Sequence, residues 1–299
     1  MHCPTLTKLP SPPPGRTGWP WTEASAPLPD FMPDGEPWPR ISIVTPSYNQ
    51  AQFIEETIRS VLLQGYLNLE YIIIDGGSTD VTVEIIRKYE PWLSYWISEE
   101  DSGQSHAIKK GLERATGKIV TWLNSDDRLR PNTLSRVARV FKASPRVVFT
   151  CGDINLIDIN GRVINRLYTK HPNRFLTVNY GQHGVPQPGA FWRRWAYEQV
   201  GGVDTSLKFC MDRDLFIRLW EIGPTKRIIG PPLADFRVHE QSKTATMKAI
   251  RAKEQALILE RYSNPRWQSR QILLSVLWWI WEKLNLVRVL LSKLLKREI

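Results

Sequence analysis

The chain has 299 residues, 42% of them apolar and 23% charged, with a formal net charge of +10 and a pI near 9.6. This is the composition of a globular protein with one main domain and appendages. Cys3, Cys151 and Cys210 are odd in number, far apart and without CxxC spacing, which suggests neither a disulfide framework nor a zinc cluster and fits a reducing cytoplasm. The N-terminus has no apolar h-region and no run approaches the ~18 apolar residues of a spanning helix, so neither secretion nor a transmembrane anchor is expected. The positive charge suits nucleic acid, an anionic membrane surface or phosphorylated substrates. Seven Lys/Arg against two Glu fall in residues 266–299, so about half of the excess sits in the tail.

Residues 1–39 hold 11 of the 22 prolines. No ordinary helix or central strand fits there, and an extended, partly disordered arm is expected, with GWPWTEAS and Trp38 as the parts able to pack on the core. A catalytic domain over 40–245 follows, divided near residue 130, and a helical tail over 246–299. From Arg40 the pattern is strand, helix, strand: ISIVTP, an amphipathic helix with Ile54, Ile58, Val61 and Leu62 on one face, then EYIIID. A helix through Val83, Ile85, Ile86 and Tyr89 leads to the strand SYWISE, a helix from Ala107 to Arg114, and the strand KIVTWLN. Strands alternating with helices predict an α/β fold with a mostly parallel sheet covered on both faces. A helix from Pro131 to Ala143 precedes a single strand VVFTCGDINLI, which meets GRVINRLY in a hairpin through Asp158, Ile159, Asn160 and Gly161, so late antiparallel strands join the sheet. A helix from Met211 to Ile222 and a strand near Arg227 to Ile229 complete the core. Finally, Leu273, Leu277, Ile280, Leu284, Val287, Leu291 and Leu294 make one apolar stripe of a long C-terminal amphipathic helix.

Three familiar motifs are absent. GLERATGK at Gly111–Lys118 has the wrong glycine spacing, Ile119 in place of Ser or Thr, and a helix-to-strand order opposite to that of a phosphate loop. His239 and Glu240 begin an HExxH pattern that Lys243 ends, and no GxGxxG follows the first strand. What recurs instead is a polar cluster directly after each apolar strand: Pro46, Ser47, Tyr48 and Asn49; Asp75 to Asp80; Asp101, Ser102, Gly103 and Gln104; Asn124 to Asp127. Any one of them is also a plain turn with a helix cap. Four at one sheet edge mark a ligand site, because open α/β sheets bind at the carboxyl ends of their strands. Adjacent carboxylates at Asp126 and Asp127 stay ionised most easily by sharing Mg2+ or Mn2+ with a phosphorylated ligand; the alternative is a helix cap and first-turn acid ahead of Pro131. In DGGSTD, Asp75 and Asp80 are able to accept hydrogen bonds from a base or ribose, but not from phosphate.

SIVTPSYNQAQFIEETIRSVLLQGYLNLEYIIIDGGSTD, followed by SEEDSGQSHAIKKGLERATGKIVTWLNSDD, resembles the nucleotide-sugar half of family 2 glycosyltransferases, the inverting GT-A type, and the resemblance runs over about residues 38–245. It implies a donor site drawn from Pro46, Tyr48, Asn49, Asp75, Gly103, Gln104, Asn124, Ser125 and Asp126, with Asp75 reading the nucleoside. It also implies a metal on Asp126, Asp127 and His239, with Asn124 at the first position of the Asp-x-Asp-like motif. Lys243 would meet phosphate. Asp212 in KFCMDRDLF matches the family's general base, and Gln187, Pro188, Gly189 and Asp214 would face the acceptor. On the residues alone, Asp212 and Asp214 are equally first-turn acids favoured by a helix dipole, and His239 an ordinary loop histidine.

The activity so implied is metal-dependent inverting transfer of a hexose from a nucleoside diphosphate, with Mn2+ or Mg2+ as cofactor, to a hydroxyl on a lipid-linked or cell-surface glycan. A sugar-phosphate nucleotidyltransferase would carry a Gly-rich loop with a basic residue after the first strand, and TPSYNQ has neither. A nucleic-acid-binding protein would show a basic stripe over the core, whereas here the charge gathers in the tail, so no nucleic-acid partner is expected. The tail, with Trp267, Trp278, Trp279 and Trp281 beside its lysines and arginines, suits either an anionic leaflet at the inner face of the cytoplasmic membrane or packing on protein.

Overall fold

The structure, a computed structural model, describes residues 4–169, 177–178 and 184–263; Cys3 and the expected tail helix lie outside them. Four strands, β1 (Ile41–Ser47), β2 (Leu69–Asp75), β3 (Tyr95–Ser98) and β4 (Ile119–Trp122), run parallel in the order β4, β1, β2, β3. Past β4 the sheet continues through β9 (Ala190–Arg193), antiparallel to both its neighbours, to β6 (Phe149–Gly152) and then β10 (Thr225–Ile228), parallel to β6. The apolar runs read as strands because each must fill two cores at once. Ile41, Ile43, Tyr71 and Ile73 face one, and Val44, Ile72 and Ile74 face the other. Helices α1 (Ile54–Leu62), α2 (Thr82–Lys88) and α4 (Thr133–Ala143) cover the first face; α3 (Gln104–Arg114) and the Met211–Ile222 helix cover the second. Alternation of period two along continuous apolar strands produces this layering. Gly111 lets α3 lie directly on β1, since a Cβ there would come within 2.3 Å of Val44.

A second sheet has the order β5 (Arg128–Leu129), β11 (Ala234–Arg237), β7 (Ile154–Ile157), β8 (Val163–Leu167). It corrects two expectations. The run VVFTCGDINLI is not one strand but breaks at Asp153, where the carboxylate accepts from the Thr169 N–H at 3.0 Å and pairs with Arg166 and Arg227, sending β6 and β7 into different sheets. The chain after Asp127 does not enter a helix at once either: Arg128–Leu129 pairs with β11 and α4 starts at Thr133. The expected hairpin joins β7 to β8, its turn held by Asp158, which accepts from the N–H groups of Asn160 and Arg162 at 2.9 and 2.8 Å.

The proline-rich segment carries little regular structure, as its composition requires, yet it is no loose arm. Trp19, Trp21, Met32 and Trp38 are buried, and the Trp19 indole donates to the Leu129 carbonyl at 2.8 Å. Arg59, fully buried on α1, donates to the carbonyls of Pro10, Pro20 and Trp21 and to the Tyr89 hydroxyl. Carbonyls that proline cannot tie into a ladder are thus collected by one guanidinium with five donors. Arg59→Met should lower unfolding free energy by about 3 kcal/mol, because several buried acceptors lose their donor together. Urea denaturation would measure this, and a loss below about 1 kcal/mol would mean the segment holds itself in place.

Candidate active site

A cavity of about 580 Å3 opens at the carboxyl ends of the parallel strands, bordered by Pro46 and Ser47 at the end of β1 and Tyr48 and Gln50 after it, Gly76, Gly77 and Thr79 after β2, Glu100, Asp101, Gly103 and Gln104 after β3, and Asn124, Ser125 and Asp126 after β4. His239, Ser242 and Lys243 close it from the loop after β11. A second cavity of about 440 Å3 adjoins it and shares Gln104, Asn124, Asp126, Ser242 and Lys243. Its other walls are mostly apolar, including Trp122, Ile154, Leu156, Leu167, Phe209, Met211 and Phe236, with Gln187, Pro188 and Asp212 among them. Buried polar atoms without a partner among the described residues, Ser47 Oγ and Gln50 Oε1 in the first cavity and Gln187 Oε1 in the second, belong to residues on these walls.

Asp126 stands where the cavities meet, its Oδ2 at 3.1 Å from His239 Nε2, and the imidazole packs on Phe53 with ring centres 5.0 Å apart. Among the described residues no three His, Cys, Asp or Glu converge as a self-contained metal cage. One carboxylate and one imidazole fit a cation that shares its remaining positions with water and phosphate oxygens; the carboxylate and phosphate suit either Mg2+ or Mn2+, and the imidazole suits Mn2+ better. Lys243 is half-buried; desolvation holds its pKa below that of an ordinary lysine, and its Nζ donates to the Lys208 carbonyl at 3.1 Å.

Comparison with known proteins follows the same lines. The family described as Glycosyl transferase family 2 matches residues 42–201, more than half of the chain. The chain belongs to glycosyl transferase family 2. An uncharacterized glycosyltransferase of Nostoc sp. is 30% identical over 175 residues, 55% of this chain and 54% of that protein, so the match spans about half of the relative's length. S. aureus TarS in complex with UDP-GlcNAc superposes with a TM-score of 0.58 at 17% identity, over 75% of this chain and 72% of that one. The mannosyltransferase PcManGT from Pyrobaculum calidifontis, in complex with GDP-Man and Mn2+, gives 0.53 at 22% identity, over 81% and 76%. At these identities the likeness is one of fold: the α/β architecture is that of the GT-A type.

Within this family 2 site several expected residues stand elsewhere. Asp75 is fully buried; its oxygens accept from the Ser78 N–H and hydroxyl at 2.8 and 2.6 Å and from the Ser98 hydroxyl at 2.7 Å, so it shapes the loop and does not border the cavity. Asp80 caps α2 through the Thr82 N–H. Asn49, at a φ of 51°, accepts from the Thr79 N–H and ties the loops after β1 and β2 together. Asp127 borders neither cavity: its Oδ1 takes the Arg237 N–H at 3.0 Å and its Oδ2 the Asn124 amide at 3.3 Å, while burial and the Asp126 charge push its pKa up. Gly189 is buried where a Cβ would strike the Gly152 carbonyl. Asp214 is fully buried among Arg218, Arg261 and Tyr262 and faces no acceptor space. Burial forced these roles on Asp75, Asp127, Gly189 and Asp214, and loop-to-loop and capping bonds did so for the exposed Asn49 and Asp80; a carboxylate looks the same in sequence whether its partners are protein or ligand. Conversely Asp101, Glu100, Ser242 and the apolar wall of Phe209, Met211 and Phe236 were not assigned; only the DSGQ cluster hinted at the first.

Asp212 owes its position to an element beyond the matched region. It stands in the first turn of the Met211–Ile222 helix, and Glu254 of the Lys248–Tyr262 helix accepts from the N–H groups of Lys208, Phe209 and Cys210 just before it, at 2.7, 2.9 and 2.8 Å. Arg261 and Tyr262 grip Asp214 on the other side. Glu254→Gln would turn an amide NH2 toward backbone donors. If Asp212 is the base, turnover should then fall by about tenfold or more through its misplacement, beyond any change in nucleoside diphosphate affinity that comes from Glu254 also acting on the charge of Lys243. Calorimetric binding beside steady-state rates would show it; equal loss of both would make Glu254 a matter of stability alone.

Proposed function

We propose that the protein is a metal-dependent inverting glycosyltransferase that moves a hexose from a nucleoside-diphosphate sugar to a hydroxyl of a lipid-linked or cell-surface glycan. The observation that carries this reading is the meeting of two cavities at Asp126, one of mixed polarity and ringed by strand ends, the other mainly apolar and holding Asp212. The first has the walls and polarity for a nucleotide: an exposed Tyr48 ring, backbone at Gly76 and Gly77, and Lys243 to offset phosphate charge. Asp126 and His239 would hold Mn2+ or Mg2+, which when bound neutralises the charge growing on the departing diphosphate. Asp212, in the second cavity, accepts the proton of the acceptor hydroxyl as its oxygen bonds to the anomeric carbon and the bond from that carbon to the diphosphate breaks. The apolar wall around it favours an acceptor whose sugar is joined to, or flanked by, hydrocarbon.

Association with a membrane is the remaining part of the proposal. No helix among the described residues is long and apolar enough to cross a bilayer. The stripe from Leu273 to Leu294, with tryptophans and basic residues around it, supports contact with an anionic inner leaflet.

Asp126→Ala should weaken Mn2+-dependent donor binding by at least about tenfold, whereas Asp212→Asn should cut turnover by roughly 10² to 10⁴ and leave donor affinity unchanged. Titration calorimetry and a product assay across UDP, GDP and dTDP sugars separate the two, and unaltered turnover in Asp212→Asn would remove it from the chemistry. For the tail, deleting residues 267–299 should release the protein from anionic vesicles while donor affinity persists, and binding of the whole chain should weaken as salt rises. Sedimentation in which the full chain ignores such vesicles would end the membrane reading.

A further inference from the structure

The acid expected to read the donor's base, Asp75, has its oxygens occupied by serine groups, and the next position along, Gly76, puts no side chain into the cavity. The space above Gly76 is nevertheless filled. A Cβ built there would lie 3.0 to 3.2 Å from the carboxylate of Asp101, which comes from the loop between β3 and α3 and borders the nucleotide cavity. Its direction is fixed, because Oδ1 accepts the Gly103 N–H at 2.7 Å. The adjacent Glu100 also borders the cavity but is exposed, and its carboxylate has no such tether among the described residues. Tyr48, 59% exposed, also borders the cavity from just past the end of β1.

We infer that Asp101 selects the donor's base by accepting a hydrogen bond from a ring N–H, as uracil, thymine and guanine present; this rests on the nucleotide-sugar reading of the cavity given above. A carboxylate is an acceptor only and repels phosphate oxygens, so the ligand group that meets Asp101 must be a donor, which the base supplies and the diphosphate does not; Lys243 stands near enough to feel the Asp101 charge. Cytosine and adenine carry a ring nitrogen lone pair where the other bases carry N–H, and two acceptors facing each other in a confined site are unfavourable. Glycine at position 76 is what lets an acid from the neighbouring loop take this place.

The inference makes a directional demand on Asp101→Asn. One oxygen must still accept from Gly103, so the amide turns its NH2 toward the base. Bases with a ring N–H then meet donor against donor, and bases with a ring lone pair meet a matching donor. Calorimetric titration with UDP, dTDP, GDP, CDP and ADP in Mn2+, and with pyrophosphate as a probe that lacks a base, reads this out. The parent should prefer a nucleotide of the N–H class by at least about tenfold; Asp101→Asn should lose that preference and shift toward CDP or ADP, with pyrophosphate affinity not weakened. Gly76→Ala, whose methyl group displaces the Asp101 carboxylate, should weaken the preferred nucleotide as well. Retained preference in Asp101→Asn, or equal weakening of nucleotide and pyrophosphate, overturns the role of Asp101 while leaving the donor site standing. No nucleotide binding by the parent would overturn both.

Discussion

Two buried arginines hold the site together. Arg128 bonds Glu56 and pairs with Asp235 at 2.6 Å, and it donates to the Gly161 carbonyl at 2.9 Å. Arg237 donates to Glu56 at 2.8 Å, to the Asp126 carbonyl at 2.9 Å and to the carbonyls of Asp158 and Ile159, while its own N–H serves Asp127. Helix α1, the turn after β4 and the second sheet are thereby joined through two side chains. Buried charge is expensive to assemble and more expensive to break, since removing one partner leaves the others unpaired in a medium of low polarity. Such a network contributes uniqueness of arrangement more than net stability. Here it decides where the backbone of Asp126 stands relative to His239, and so how the two cavities meet.

The same network explains why Asp126 and Asp127 part company. A carboxylate pair read from sequence suggests a shared ion. In the fold, one of the pair turns inward to accept backbone and amide donors from Arg237 and Asn124, and the other is left on the cavity rim beside a histidine. Thr57 adds a further tie, its hydroxyl meeting the carbonyls of Ser125 and Asp127 at 2.9 and 2.6 Å. The buried member is the anchor from which the rim member is aimed.

Much of the architecture was legible because the determining signal is local. ISIVTP, EYIIID and KIVTWLN are apolar runs bounded by turn residues, and α1 and α4 carry one apolar face each, so their order alone implies a parallel sheet between helices. The elements that escaped are those made by partners distant in sequence. Arg128–Leu129 is a strand only because Ala234 and Asp235 lie beside it, and Ala190–Arg193 only because two edges wait for it. The site divides likewise. The polar clusters after the strands announced the cavity, but the fate of each acid was set by residues elsewhere: Ser98 for Asp75, Tyr262 for Asp214, Arg237 for Asp127. Periodicity finds the walls of such a site; only the fold tells which carboxylates face inward.

Strand β9 carries a consequence for how the chain can be divided. Its four residues come from well past the nucleotide half, yet they pair with β4 through Ile119 and Val120 and join that half to β6. A ribosome that had released only the first 130 residues would leave the backbone of β4 as an open edge, its N–H and C=O groups ready to recruit another chain. Completion of the donor sheet therefore waits on synthesis through residue 193. Swapping nucleotide halves between relatives at the apparent midpoint of the domain would repeat that exposure, and a working chimera would have to bring its own β9.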